Sequence, residues 1–314
     1  MEKQISKEQE KTLEKQQYRM VGNHSSVKVC GWTKNKIAGK GECYKEQFYG
    51  LNCHQCMQMT SSMYCANRCK FCWRGLKAPV SKEWYGCIDD VKKIVEGSIK
   101  AHIKLLQGFK GLKGADKKLI EEMENVKHVA LSLTGESITY PKIQELLEEF
   151  HKKGITTFLV TNGQFPEQIE KVKKVTQMYL SLDAPDKKIL KEIDRPLFPD
   201  YWERLLKSLE VIKNKKYRTA VRLTLIKGEN DFNAEGYAEL IKKGDFDFIE
   251  VKSYMWVGES QKNYGIEKML YPKDVENFSK KLLKYLPDYE LVDEHKKSVV
   301  VLLAKKGVER KLKF

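Results

Sequence analysis

From about residue 57 onward, apolar runs of strand length alternate with segments whose apolar positions repeat at helical spacing. The strand-like runs are about Gln58–Tyr64, then Val129–Leu133, Ile155–Val160, Met178–Leu182, Val221–Ile226 and Phe248–Val251. Between them, Ile143, Leu146, Leu147 and Phe150 fall at i, i+3, i+4 and i+7, and Trp202, Leu205, Leu206 and Leu209 repeat the pattern. Each such stripe turns one helix face toward a core. Strand–helix alternation with short links predicts an α/β chain whose parallel strands are joined by right-handed crossovers. An open sheet and a barrel both satisfy it.

The ends of the chain read differently. Residues 1–20 mix Lys, Glu and Gln with few apolar positions, which predicts a solvated arm or helix. Residues 21–56 bear Gly and Cys and lack periodicity, as expected of a segment ordered by metal. The remainder, 57–314, holds the strand–helix body, with a glycine- and lysine-bearing insertion at 105–124 and a loop over Ser253–Met269. A helix around Val275–Leu286 and a terminal strand pair, about Tyr289–Val292 and Ser298–Leu303, complete it.

The length of 314 residues suits one α/β barrel. The longest aliphatic run, Val299–Ala304, is far too short to span a membrane, and no secretory signal is read. The expectation is a soluble, cytoplasmic protein without a membrane partner. Lys and Arg number 58 against 43 Asp and Glu, a net charge of +15 that points to an anionic partner, nucleic acid first. Two stretches concentrate the excess. Lys100, Lys104, Lys110, Lys113, Lys117 and Lys118 face Asp116 alone, and Lys296, Lys297, Lys305, Lys306, Arg310, Lys311 and Lys313 face Glu309. Both could track phosphates.

Eight cysteines change the picture further. Cys65, Cys69 and Cys72 form a C-x3-C-x2-C loop, with Phe71 before the last cysteine. Three thiolates can hold three irons of a four-iron, four-sulfur cluster and leave the fourth open for chemistry. A competing set, Cys53, Cys56, Cys69 and Cys72, has the spacing of a zinc ribbon and would make an RNA-binding module. It leaves Cys30, Cys43 and Cys65 idle. Disulfides are disfavoured in a reducing compartment.

The C-x3-C-x2-C loop and Phe71 resemble the signature of the radical S-adenosylmethionine (SAM) superfamily. That resemblance implies a partial, TIM-like (β/α)6 barrel with a cysteine-rich N-terminal extension and C-terminal additions. It also implies that the open iron chelates SAM. Thr134-Gly135-Glu136 after the second strand is similar to the superfamily's Gly-Gly-Glu turn, with Thr in place of the first Gly. Thr161 and Asn162 after the third strand, and Ser181 and Asp183 after the fourth, resemble groups that meet the ribose and the methionyl carboxylate. The fifth strand offers Arg222 and Thr224 on one face and Leu225 on the other, where an apolar side chain could pack on adenine.

Cys30, Cys43 and Cys56 are each separated by twelve residues. With Cys72-Trp73-Arg74 and Leu133-Thr134-Gly135-Glu136, this set resembles the 4-demethylwyosine synthase family in its stand-alone archaeal form. The resemblance implies a second four-iron cluster on Cys30, Cys43 and Cys56. It implies a lyase-type synthase of the tRNA wybutosine pathway, whose substrates are pyruvate and N1-methylguanosine beside the anticodon of tRNA(Phe). Electrons would come from a separate flavodoxin- or ferredoxin-type donor. Lys45 matches the family lysine proposed to form a Schiff base with pyruvate. A radical SAM enzyme acting on a peptide or another RNA is the alternative.

Overall fold

The structure, a computed structural model, describes residues 3–74 and 78–313. Its strands are β1 (Arg19–Val21), β2 (Ser25–Lys28), β3 (Cys56–Thr60), β4 (His128–Leu131), β5 (Thr156–Thr161), β6 (Gln177–Ser181), β7 (Arg218–Leu225), β8 (Phe248–Ser253), β9 (Tyr289–His295) and β10 (Val300–Lys305). The helices are α1 (Lys7–Lys15), α2 (Gly31–Ile37), α3 (Tyr44–Tyr49), α4 (Val91–Leu106), α5 (Lys117–Glu122), α6 (Ile143–Lys152), α7 (Pro166–Lys171), α8 (Lys187–Asp194), α9 (Tyr201–Lys213), α10 (Ala234–Gly244) and α11 (Pro272–Leu283). One sheet runs β1-β2-β3-β4-β5-β6-β7-β8-β10-β9. From β3 to β8 every neighbour is parallel, whereas β2 and β10 join the two flanks antiparallel. Six parallel strands in chain order, bounded by two antiparallel pairs, make the expected partial barrel.

Side-chain alternation along each strand sorts residues onto two faces. Met57, Met59, Val129, Leu131, Leu159, Met178, Leu180, Val221, Leu223, Leu225, Ile249 and Val251 pack outward against the helices, including Ile143, Leu146, Leu147 and Phe150 of α6. Ala130, Phe158, Tyr179, Ala220 and Phe248 face the lumen, where Tyr44, Phe48 and Tyr49 of α3 and Val300, Leu302 and Ala304 of β10 cover them. The floor of the lumen is therefore built by the N-terminal segment and the last strand.

The N-terminal segment holds more regular structure than its lack of period suggests. Its elements, such as the seven-residue α2 and six-residue α3, are too short to display one. The arm over 1–20 is also more than solvated. A capping box between Ser6 and Gln9 starts α1, and Ile5, Leu13 and Tyr18 pack on Met63 and Leu133 beside the cysteine loop.

Candidate active site

Beyond β3 the chain leaves the sheet and places Cys65, Cys69 and Cys72 at the C-terminal rim of the barrel. A cavity of about 150 Å³ there is lined by Cys65, Cys69, Phe71, Gly135, Glu136, Thr161, Asn162, Ser181 and Asp183. Seven of the rim residues read from the sequence thus share one hollow with Cys65 and Cys69. Thr134 lines the adjoining cavity of about 160 Å³ with all three cysteines, Trp73 and Arg74.

Gly135 shows why the turn needs glycine. Its φ is +61°, and a Cβ there would lie 2.1 Å from the Ser62 carbonyl oxygen. The next residue, Glu136, donates its backbone N–H to Tyr64 O at 2.7 Å. Its carboxylate accepts from Asn162 N at 3.2 Å, its Oε1 has no partner, and burial pushes its pKa up to about 8. Asn162 Nδ2 in turn donates to Cys65 Sγ at 3.3 Å. Asp183 accepts from Thr224 N at 3.0 Å, and burial raises it to about 6.

The three expected residues of β7 line neither cavity, and Thr224 reaches the rim only through its backbone N–H to Asp183. Leu225 points outward into the helix-side core, so its side chain does not line the lumen. Arg222 points inward but is drawn below the rim, where its Nε donates to Glu250 Oε2 at 3.0 Å and its Nη2 to the Tyr44 hydroxyl at 2.8 Å. Tyr44 and Tyr49 donate to the same carboxylate at 3.0 and 2.9 Å.

Cys30, Cys43 and Cys56 come together on this lower side. Cys30 precedes α2, Cys43 precedes α3 and Cys56 begins β3. Burial pushes the Cys43 and Cys56 thiols up to about 12, with Cys30 close enough to add to both shifts, and at the rim Cys65 and Cys72 lie close enough to raise Cys69 further. Thiols held this way ionise readily only beside a positive centre, which suits iron. Among the described residues, no three His, Cys, Asp or Glu side chains converge to hold a single metal ion. A cluster sets each thiolate on a different iron and so takes a wider triad. All eight cysteines are free thiols. The zinc-ribbon spacing is defeated by β3 itself. Four residues of strand beyond Cys56, roughly 13 Å at about 3.3 Å per residue, separate Cys53 and Cys56 from the loop bearing Cys69 and Cys72.

Lys45 lies beside the lower triad, next to Cys43 and Cys56. Its ammonium stands 4.4 Å from the Tyr179 ring centroid and 5.4 Å from that of Phe158, on the lumen floor. Burial, then the Arg222 guanidinium, holds it below the usual lysine range.

Sequence reading missed three groups. Asp194, at the end of α8, lines the rim cavity and accepts from Asn67 Nδ2 at 3.4 Å. Glu250 and Lys252 are lumen-facing charges on β8, and their alternation with Ile249 and Val251 was the available signal. The basic stretches also divide. Lys100, Lys104, Lys113 and Lys117 are exposed, whereas Arg310 pairs with Asp293 and Lys311 donates to Gln47 O, tying the tail beneath the barrel.

Sequence profiles described as the radical SAM superfamily and as wyosine base formation match residues 59–241 and 243–305. A tRNA 4-demethylwyosine synthase of Pyrococcus horikoshii is 44% identical over 310 residues, covering 97% of this chain and 91% of that protein. The rice (Oryza sativa subsp. japonica) enzyme of the same name is 46% identical across 94% of this chain but only 45% of its own length. The chain therefore spans less than half of the plant and animal relatives it matches. Two solved structures cover 98% of the chain. One, of TYW1 with a lysine–pyruvate adduct bound, has a TM-score of 0.86 at 37% identity and is itself covered to 98%; the other, of archaeal TYW1, has 0.80 at 34% and is covered to 100%.

Proposed function

Because the chain belongs to the S-adenosyl-L-methionine-dependent tRNA 4-demethylwyosine synthase family of the radical SAM superfamily, we propose that it builds 4-demethylwyosine on tRNA(Phe). Its substrates would be N1-methylguanosine beside the anticodon and pyruvate, of which two carbons are retained. The observation that carries this reading is the placement of Lys45 on the lumen floor beside the Cys30–Cys43–Cys56 triad, with a second cysteine triad at the rim of the same barrel. One triad would serve SAM chemistry alone; the second, with a buried lysine, suits a keto acid.

Cys65, Cys69 and Cys72 would hold the SAM-binding cluster, and Cys30, Cys43 and Cys56 an auxiliary one. When bound and reduced by a separate electron donor, the first cluster and SAM supply a 5′-deoxyadenosyl radical, the agent of hydrogen abstraction from the N-methyl group. The chain's own residues position the partners. The Gly135 and Glu136 turn and Asn162 would meet the methionyl end of SAM, Ser181 and Asp183 its ribose, and Thr224, whose N–H Asp183 accepts, would fix that carboxylate. Phe71, Thr134 and Thr161 would complete the walls. Arg222, sequestered by Glu250, acts on the keto-acid side of the lumen.

Lys45 would add as a neutral amine to the ketone carbon of pyruvate, losing water to give an imine. Depression of its ammonium below the ordinary lysine range favours that neutral form. The substrate base must leave the anticodon stack to reach the rim. The cytoplasm, where thiolates stay reduced, is the compartment this chemistry needs.

The test is anaerobic incubation of the cluster-reconstituted protein with SAM, reductant, pyruvate and tRNA carrying N1-methylguanosine, followed by nucleoside mass spectrometry. Appearance of the tricyclic base is expected. SAM cleavage without that base would move the protein to another substrate.

A further inference from the structure

The loop that follows β8 has no role in the reading above, yet it is built against the cysteine loop. Glu259 N donates to Trp73 O at 2.9 Å, and Asn263 Nδ2 donates to Lys70 O at 2.8 Å. Gly258 makes the join close: its φ is +61°, and a Cβ there would lie 2.5 Å from the same Trp73 oxygen. Deeper in, Tyr254 and Tyr264 pack with Ile193 and Ile226, and Phe71 lies against them. The loop is also braced from within. The buried Ser260 hydroxyl accepts from the Tyr254 hydroxyl at 3.0 Å and donates to Val257 O at 2.7 Å.

This braced loop holds apolar surface out in water. Trp256 is 37% exposed and Val257 49%. Among the described residues, the Trp256 ring stacks on no other ring and its indole N–H has no acceptor; only its carbonyl is used, by Gln261 Nε2 at 3.2 Å. Two residues of chain span at most about 7 Å, so Trp256 stands near Gly258 and the Trp73 backbone. Trp73 lines the rim cavity with all three cysteines, which puts Trp256 at its lip. Lys70, on the neighbouring loop, is partly exposed and pairs with no carboxylate among the described residues. An unused aromatic face beside an unpaired ammonium suits an unpaired nucleobase and its phosphate. A guanosine drawn out of its loop toward the cavity leaves the flanking base without a stacking neighbour.

We infer that Trp256 is a stacking platform for a nucleobase flanking the guanosine that enters the barrel, with Lys70 meeting the phosphate between the two. This rests on the tRNA reading of the site. Trp256 takes no part in bond making; it is a positioning residue that holds the distorted RNA over the rim. Stacking of one base on one aromatic side chain corresponds to about five- to hundredfold in Kd.

The test measures binding of an anticodon stem-loop RNA carrying N1-methylguanosine to full-length, cluster-reconstituted protein with SAM, without reductant. Two further RNAs carry an abasic site on one side or the other of the methylguanosine. Trp256→Ala should raise the Kd of the intact stem-loop about five- to hundredfold, and Trp256→Phe should raise it less. Stacking releases no counterion, so the salt slope of Trp256→Ala should match wild type, whereas Lys70→Gln should lower it by nearly one unit. One of the abasic RNAs should bind wild type more weakly by a similar factor, and Trp256→Ala should add no more than about twofold to that loss. An unchanged Kd in Trp256→Ala would overturn the inference and leave the ring to a protein partner. Equal losses on the intact and both abasic RNAs would overturn it too, marking the ring as a structural support. Failure of the wild type to bind the intact stem-loop would refute the tRNA reading itself, and this inference with it.

Discussion

The pairing of Arg222 with Glu250 makes a sharp stability prediction. Glu250 is fully buried and accepts three hydrogen bonds, from Arg222, Tyr44 and Tyr49, while Arg222 sits at 5.0 Å over the Tyr179 ring. Burial pushes the Glu250 carboxyl up, but Arg222, then Lys45 and the hydrogen bonds, pull it down further, so its net pKa lies below the ordinary glutamate value. Arg222→Met removes the dominant compensating charge and leaves a carboxylate in a lumen walled by aromatic rings. Breaking one side of a buried pair costs about 3–5 kcal/mol, whereas replacing both sides by apolar groups is often close to neutral. Arg222→Met should therefore lose about 3–5 kcal/mol in urea unfolding of the cluster-free protein, and Arg222→Met with Glu250→Leu should recover at least half. The pH dependence carries a sign. A depressed carboxyl contributes stability above its unfolded pKa, about 4.3, and that contribution disappears as pH falls through the lower folded value. The single variant should lose most at neutral pH and converge on wild type in acid. A loss below about 1 kcal/mol at pH 7, or a double variant as weak as the sum of the singles, would refute this account.

Cys65→Ala should abolish SAM cleavage and lower anaerobically reconstituted iron from about eight to about four per chain, read by iron assay and spectra; unchanged cleavage would remove Cys65 as a ligand. His102 is buried with neither ring nitrogen partnered, and burial holds it down at about 4. Its contribution is intact above the unfolded value near 6.5 and lost as pH falls toward 4, so wild-type stability should drop by on the order of 3 kcal/mol across that window and His102→Leu by far less, as measured by urea midpoints against pH. Replacing Lys100, Lys104, Lys113 and Lys117 by Gln should weaken tRNA binding and flatten its dependence on salt by nearly one unit of slope per lost phosphate contact; an unchanged slope in filter binding would make that stretch a solvated face.

What the sequence disclosed follows from where periodicity and spacing are forced. The outward faces of β4 to β8 must meet helices, so their apolar rhythm was unavoidable and the partial barrel legible. The cysteine spacings were legible because coordination constrains neighbours along the chain. Arg222 and Leu225 were misplaced because parity within a strand assigns a face but not a depth or a partner. Arg222 lies in register with Ser181 and Glu250, yet its guanidinium turns to Tyr44, a residue 178 positions away on a helix that only folding brings beneath it. Glu250 and Lys252 escaped notice for the same reason, since each gains meaning only from groups across the lumen. A lumen filled solely with aliphatic side chains would stabilise such a barrel more cheaply. Arg222 and Glu250 occupy neighbouring inward positions, and α3 with Tyr44 and Tyr49 is drawn in to satisfy that buried pair, so polar contacts as well as packing fix the floor of this barrel.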